Sequence, residues 1–256
     1  MRTIGDFASV FRKGGLLVGT FVKTPDPTIV EVLAKSALDF VILDAEHAPF
    51  DRRAIDVCVL AAKQGDLPVL VRVASSDPVW TQQALDVGAN GVVIPHVRSV
   101  DEAKTAVRAA HFGSGGRGFA GSTRASEFTK RDIQRHLAMS AESTLVIAQI
   151  EDEEAIGVAE DIAAVDGIDG VFIGPVDLTI SMGKATPADD DVLAAMVAVA
   201  RGVSAAGKAP GIFVGSPAEF SRYLSMGLRF VLVRSDQSFA ISGADAACEQ
   251  IKAAGN

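Results

Sequence analysis

Residues 144–151 read TLVIAQIE: an apolar, β-branched run that closes on Gln149 and then on an acid, Glu151. Such a run is a strand buried on both faces, and the carboxylate at its end is delivered to a fixed point in space. Two other stretches close in the same way. GVFIGPVD (170–177) ends in Asp177, and FVILDAEH (40–47) ends in the cluster Asp44-Ala45-Glu46-His47. Where such strands are parallel neighbours their C-terminal ends converge. The hard oxygen ligands gathered there suit a divalent cation such as Mg²⁺ or Mn²⁺.

Working outward, the same grammar repeats along the chain. Candidate strands are LLVGTFV (16–22), FVILDA (40–45), PVLVRV (68–73), GVVIPH (91–96), TLVIAQI (144–150), GVFIGP (170–175), APGIFV (209–214) and RFVLVR (229–234). Each precedes an Ala-rich helical stretch, and Gly65, Gly88, Gly207 and Gly227 mark helix ends. Eight strand–helix units in 256 residues have the count and length of a (β/α)₈ TIM barrel, one domain spanning 1–256. A doubly wound sheet would carry a glycine-rich turn after its first strand, and GTFVKTPDP is not one. The N-terminal MRTIGDFASVFRKGG predicts a short amphipathic helix lying on the fold. Residues 111–141 interrupt the alternation as a long insertion.

Composition narrows the function. The chain is 48% hydrophobic and 22% charged, with a net charge of -8, which argues against a nucleic-acid partner. No apolar run approaches the roughly 20 residues of a membrane span, and the N-terminus lacks the apolar core of a signal peptide. Cys58 and Cys248 lie in helical patterns without a neighbour at metal spacing and read as buried free thiols. A cytoplasmic protein without disulfides is expected.

In a barrel, function collects at the C-terminal ends of the strands. Those positions hold Lys23, Asp44, Glu46, His47, Arg72, His96, Gln149, Glu151, Asp177 and Phe213. No lysine points inward from a strand: Lys23 lies past its strand end and Lys208 at the opposite face. Metal-assisted chemistry is therefore favoured over a Schiff base. Arg72 on an apolar strand is hard to dismiss, because a buried unpaired charge is costly. Asp44 and Glu46 read as groups that bind metal-held water rather than as helix caps, the better N-cap being Asp51. His96 is equally readable as packed or catalytic, and His111 and His136 read as surface residues. GSGGRG (113–118) reads either as an anion cradle through Arg117 or as a flexible loop. Asp189-Asp190-Asp191 reads as a solvated N-cap.

DAEHAP (44–49), VRVASSDP (71–78), QALDVGANGVVIPHV (83–97), GGRGFAGSTRAS (115–126), VIAQIE (146–151) and DGVFIGPVDL (169–178) resemble the HpcH/HpaI aldolases. These are metal-dependent class II pyruvate aldolases of the phosphoenolpyruvate/pyruvate barrel superfamily. The resemblance implies reversible aldol cleavage of 4-hydroxy-2-oxo acids to pyruvate or hydroxypyruvate plus an aldehyde. It implies that Glu151 and Asp177 bind the metal (Mg²⁺, Mn²⁺ or Co²⁺) and that no organic cofactor is needed. Arg72 would bond the keto oxygen and stabilise the enolate, and His47, held by Asp86 in a dyad, would move the proton. Gln149 would sit beside the keto group. Gly174-Pro175-Val176 would lead into a short helix near Asp177, whose free N–H groups receive the substrate carboxylate. Phe213 would wall the aldehyde side.

A Lewis acid and a guanidinium aimed at the developing enolate oxygen are the physical core of that scheme, one such donor being typically worth about 3–4 kcal/mol. The resemblance also implies a homohexamer, a trimer of dimers with the last helix exchanged between neighbours. The stripe Ala244, Ala247, Cys248 and Ile251 suits such packing. Related alternatives are a citrate-lyase-like acyl-CoA lyase and a phosphonopyruvate-type mutase or lyase; a non-catalytic barrel is disfavoured because the site positions are filled. Two features depart from the family pattern: Lys23, and Val233-Arg234-Ser235-Asp236 in place of VGVDT.

Overall fold

In the computed structural model, which describes residues 3–255, eight parallel strands pair in chain order and the last returns to the first to close a barrel. The strands are β1 (Leu17–Val22), β2 (Phe40–Asp44), β3 (Val69–Arg72), β4 (Gly91–Ile94), β5 (Leu145–Ile150), β6 (Gly170–Ile173), β7 (Ala209–Val214) and β8 (Phe230–Ser235). Seven fall within the runs read from the sequence, and β8 extends one residue past its run, to Ser235. The helices are α1 (Phe7–Lys13), α2 (Pro27–Leu33), α3 (Arg52–Gln64), α4 (Pro78–Asp86), α5 (Val100–Ala110), α6 (Ile133–Ser143), α7 (Ala159–Ala164), α8 (Pro175–Ser181), α9 (Asp190–Ala205) and α10 (Asp236–Ala254).

Strand parity splits the apolar side chains into two cores. Val41, Leu43, Val69, Val71, Val92, Val146, Val171 and Ile212 face outward and pack under the helices. Phe40, Ile42, Leu70, Val93, Leu145, Ile147, Phe172, Phe230 and Leu232 fill the barrel. The fit is tight: a Cβ on Gly211 would meet the Phe230 ring at 2.2 Å, so glycine is what lets that ring lie across the axis. α1 plugs the N-terminal end. Phe7 and Phe11 join the interior core, with ring centroids 5.6 Å from Phe40 and 5.1 Å from Phe230 respectively. Arg12 fastens this plug to the rim through Asp169 (2.7 Å) and the Thr144 carbonyl (3.0 Å). With that end stoppered by apolar rings, the opposite end is left for chemistry.

Several expectations are corrected. Two helical stretches, Glu153–Val158 and Pro217–Met226, wind as 3₁₀ segments rather than α-helix. Gly157 weakens the first, since glycine costs an α-helix about 1 kcal/mol relative to alanine. The insertion is part helix, α6, and its loop is pinned rather than free. Arg117 is buried, 3.0 Å from Asp86 and stacked 4.4 Å over the Phe112 ring, so it does not face an anion. His136 is buried too, between Phe112 and Phe119, and this desolvation holds its pKa low. Cys58 is buried, its thiol pushed up to about 12 chiefly by desolvation, whereas Cys248 is exposed. The Asp189 side chain turns back to the Ala185 and Thr186 N–H groups instead of capping α9.

Candidate active site

The inward parity of β1, β2, β3, β5, β6 and β7 ends in Phe21, Asp44, Arg72, Gln149, Phe172 and Phe213, with Phe21 and Phe172 forming the top of the apolar core and Phe213 packed against it. The apolar filling thus gives way to polar groups at the mouth, and an arginine is affordable on β3 only because its partner is carried by the adjacent strand. Asp44 and Arg72 are in register across β2 and β3. Arg72 Nε and Nη2 grip the two Asp44 oxygens at 2.9 and 2.8 Å, with both side chains essentially out of water. The guanidinium also stacks 4.5 Å over the Phe21 ring. Burial alone would raise the Asp44 pKa, but Arg72 and Lys23 outweigh it and hold the carboxyl at about 2. Lys23 Nζ lies 2.6 Å from Asp44 Oδ2. The third guanidinium nitrogen, Nη1, is left to face Glu46 at 3.3 Å.

Around this pair the mouth encloses a cavity of about 160 Å³. Of the residues expected from the sequence, Arg72, His47, Gln149, Gly174, Pro175, Val176, Asp177 and Phe213 all line it; Lys23, Phe21 and Phe172 line it as well. Glu151 lies immediately beside it, buried, with its Oε2 taking a hydrogen bond from the Gln149 amide. A Cβ at Gly174 would stand 2.8 Å from that Oε2 and 3.0 Å from the Glu151 Cβ, so the chain can pass here only as glycine. Gly174→Ala is therefore expected to leave the barrel folded but displace Glu151, lowering divalent-cation affinity at least tenfold. Isothermal titration with Mn²⁺ checks this; unchanged affinity would show that Glu151 is free to move aside.

The electrostatics are those of a cation site. Burial raises the Glu151 pKa against the opposing Gln149 hydrogen bond, and burial pushes Glu46 up to about 7 despite Arg72. Glu46 Oε2 and Gln149 Oε1 are buried polar atoms without a hydrogen-bond partner. Desolvated carboxylates beside an unpartnered amide oxygen are hard donors for which a divalent cation would compensate. Glu46, His96 and Glu151 together present one donor atom each within 4.8 Å of one another. The residues present thus fit a divalent metal.

Two sequence readings change. The His47–Asp86 dyad is not formed within the chain. Asp86 ends α4, at the barrel face opposite the strand ends, and is taken by Arg117. The His47 ring is half exposed at the mouth, 3.7 Å from Glu46, while its backbone N–H donates to Asp44. Conversely His96, undecided from the sequence, joins the acidic cluster. The signal that marks it is backbone conformation, φ +53 just past Pro95, which the sequence conceals.

The family described as HpcH/HpaI aldolase/citrate lyase matches residues 17–242. The chain is 36% identical over 241 residues to a 4-hydroxy-2-oxo-heptane-1,7-dioate aldolase of Salmonella typhimurium strain LT2, covering 94% of this chain and 92% of that one. Among solved structures it resembles a HpcH/HpaI aldolase/citrate lyase family protein from Burkholderia cenocepacia J2315, with a TM-score of 0.91 at 31% identity over 97% and 99% of the two chains. It also resembles the HpcH/HpaI aldolase from Desulfitobacterium hafniense DCB-2, with a TM-score of 0.85 at 30% identity over 92% of each chain.

Proposed function

The chain belongs to the HpcH/HpaI aldolase/citrate lyase family, and on that premise we propose that it catalyses reversible aldol cleavage of 4-hydroxy-2-oxo acids to pyruvate or hydroxypyruvate plus an aldehyde. The observation that carries the reading is the Asp44–Arg72 clamp set beside the buried, cation-seeking Glu151. Lys23, the one lysine lining the mouth among the described residues, is ion-paired to Asp44 rather than standing free as an amine nucleophile.

Glu151 and Asp177 would hold the divalent cation, Mg²⁺, Mn²⁺ or Co²⁺, which when bound supplies Lewis acidity to the keto and carboxylate oxygens of the 2-oxo acid. The chain's own groups do the rest. Asp44 fixes the guanidinium of Arg72 at two points, so its remaining N–H groups meet the keto oxygen without reorganising as negative charge develops there. Gln149 orients the same end of the substrate. Free N–H groups at the start of α8 receive the carboxylate. His47, at the solvent side of the mouth, exchanges the proton with the aldehyde oxygen.

Phe213 is the wall on the acceptor side, its ring 6.1 Å from Phe21. Phe213→Ala should change aldehyde preference or product stereochemistry several-fold while pyruvate C3 proton exchange persists. Parallel loss of both activities would make the residue merely structural.

We further propose a cytoplasmic homohexamer. No helix among the described residues is long and apolar enough to cross a membrane. α10 leaves Ile241 and Ile251 at 64% and 74% exposure, an apolar face that assembly would cover. Light scattering at micromolar concentration should give a hexamer, and a stable monomer would refute it.

The activity is tested by assaying aldehyde-dependent consumption of pyruvate and hydroxypyruvate beside cleavage of malyl-CoA. Turnover of the thioester alone would move the chain to the acyl-CoA lyase branch.

A further inference from the structure

A second cavity, of about 310 Å³, lies between the end of α3, the turn after α4, the insertion and α6. Asn90 and Thr144 line it and directly precede β4 and β5, so it opens at the N-terminal face of the barrel, away from the mouth. The chain as a whole carries a net charge of -8. Yet Lys63, Arg117, Arg124, Arg131 and His136 line this cavity against a single carboxylate among the described residues, Glu127.

Pairing the charges leaves one over. Arg117 is held by Asp86, Arg124 by Asp56 and Arg131 by Glu127. The Lys63 ammonium has no ion pair or hydrogen bond among the described residues. Burial, and then the nearby Arg124 and Arg131, hold its pKa below the usual lysine range, against the weaker pull of Asp56 and Glu127. The ammonium is nonetheless fixed in place. Gly88, at φ +95, leaves the space in which Nζ stands, and a Cβ there would run into it.

A further observation is independent of that charge count. His136 is only 4% exposed, and its Nδ1 is a buried polar atom without a hydrogen-bond partner. Burial, with Arg131 and Arg117 nearby, keeps the ring neutral, so Nδ1–H is available as an uncharged donor. A buried donor without an acceptor is costly and calls for a ligand. Ser140 and Ser143, one and two turns further along α6, bring hydroxyl groups to the same cavity. The walls thus lack negative charge and acceptor oxygens together, and a group that carries both would supply them.

We propose that this cavity binds a phosphate group, free or esterified, with Lys63 and Arg131 supplying charge and His136 Nδ1, Ser140 and Ser143 supplying hydrogen bonds. Arg117 stays with Asp86 and takes no part. A tetrahedral oxyanion suits donors drawn from several elements better than a planar carboxylate does. The inference does not depend on the aldolase reading. Occupancy would tie the insertion to α3 and α6, and so stabilise the folded chain by mass action.

The test uses the full chain in phosphate-free buffer at constant ionic strength. Titration calorimetry with inorganic phosphate, and separately with glycerol 3-phosphate, should show saturable binding. Saturation should raise the thermal midpoint by about 3 °C. Tighter binding of the ester supports an esterified ligand, and tighter binding of inorganic phosphate a free one. Lys63→Met should weaken phosphate at least tenfold while leaving the unliganded midpoint unchanged or higher, because the lost charge mainly repels its neighbours. Glu127→Gln, at an exposed carboxylate, frees Arg131 and should tighten phosphate several-fold. A lysine that serves only the C-terminal end of α3 would behave otherwise: Lys63→Met would lower the midpoint and leave phosphate binding unchanged, which overturns the proposal. A midpoint shift that sodium chloride reproduces at matched ionic strength, or no binding of either probe at millimolar concentration, overturns it as well.

Discussion

Arg72→Ala is expected to lower aldol turnover by about 10²–10³-fold and to lower pyruvate C3 proton exchange in parallel, the loss typical of removing one preorganised donor from a developing oxyanion. Both readouts fall because the guanidinium acts on the enolate, which the two reactions share. Arg72→Lys should rescue little. Asp44 is engaged at two points, 2.9 and 2.8 Å, and a single ammonium cannot reproduce that fork. A structural cost accompanies the chemical one, since breaking a buried pair is worth about 3–5 kcal/mol. Here Lys23, 2.6 Å from Asp44, offsets part of it. Thermal unfolding of the variant separates the two contributions. If proton exchange survives in Arg72→Ala while cleavage is lost, the residue serves the aldehyde half of the reaction instead.

Metal removal should have the larger effect still. Exhaustive chelation is expected to abolish turnover, and Mg²⁺, Mn²⁺ or Co²⁺ to restore it. Glu151→Gln should be inactive at any practical metal concentration, because it removes the buried charge while keeping the volume and the Gln149 contact. The fold should survive the change: burial raises the Glu151 pKa, so the unliganded carboxylate is already under desolvation cost and its neutral amide relieves it. A Glu151→Gln variant that turns over normally would place the cation on other residues.

How much of this was legible beforehand follows from how each residue is placed. β-strand parity is written in the chain, so inward positions at strand ends could be read directly. Arg72, Gln149 and Phe213 stand where that reading put them, lining one mouth with Asp177. Asp44 and Glu46 were read as groups binding metal-held water, but the pairing of Asp44 with Arg72 depends on the register of β2 against β3, which no local pattern encodes. Asp86 misled because a helix residue carries no signal of which barrel face it reaches; at the last turn of α4 it lies away from the strand ends, against Arg117. His96 was undecided for a different reason. A left-handed residue past Pro95 leaves the strand's alternation, and with it the rule by which direction is read. His136, on α6, was placed at the surface because its polar neighbours in sequence give no sign of the ring pair of Phe112 and Phe119 that buries it.

The central claim, enolate chemistry supported by a metal and Arg72 without a lysine imine, is tested most directly by proton NMR of pyruvate in D₂O with the enzyme before and after metal removal, with borohydride added to parallel samples. The account predicts C3 exchange that stops on chelation, returns with Mn²⁺ or Mg²⁺, and leaves no protein adduct after borohydride. Exchange that persists in the metal-free protein, or a pyruvyl adduct trapped on Lys23, would contradict it.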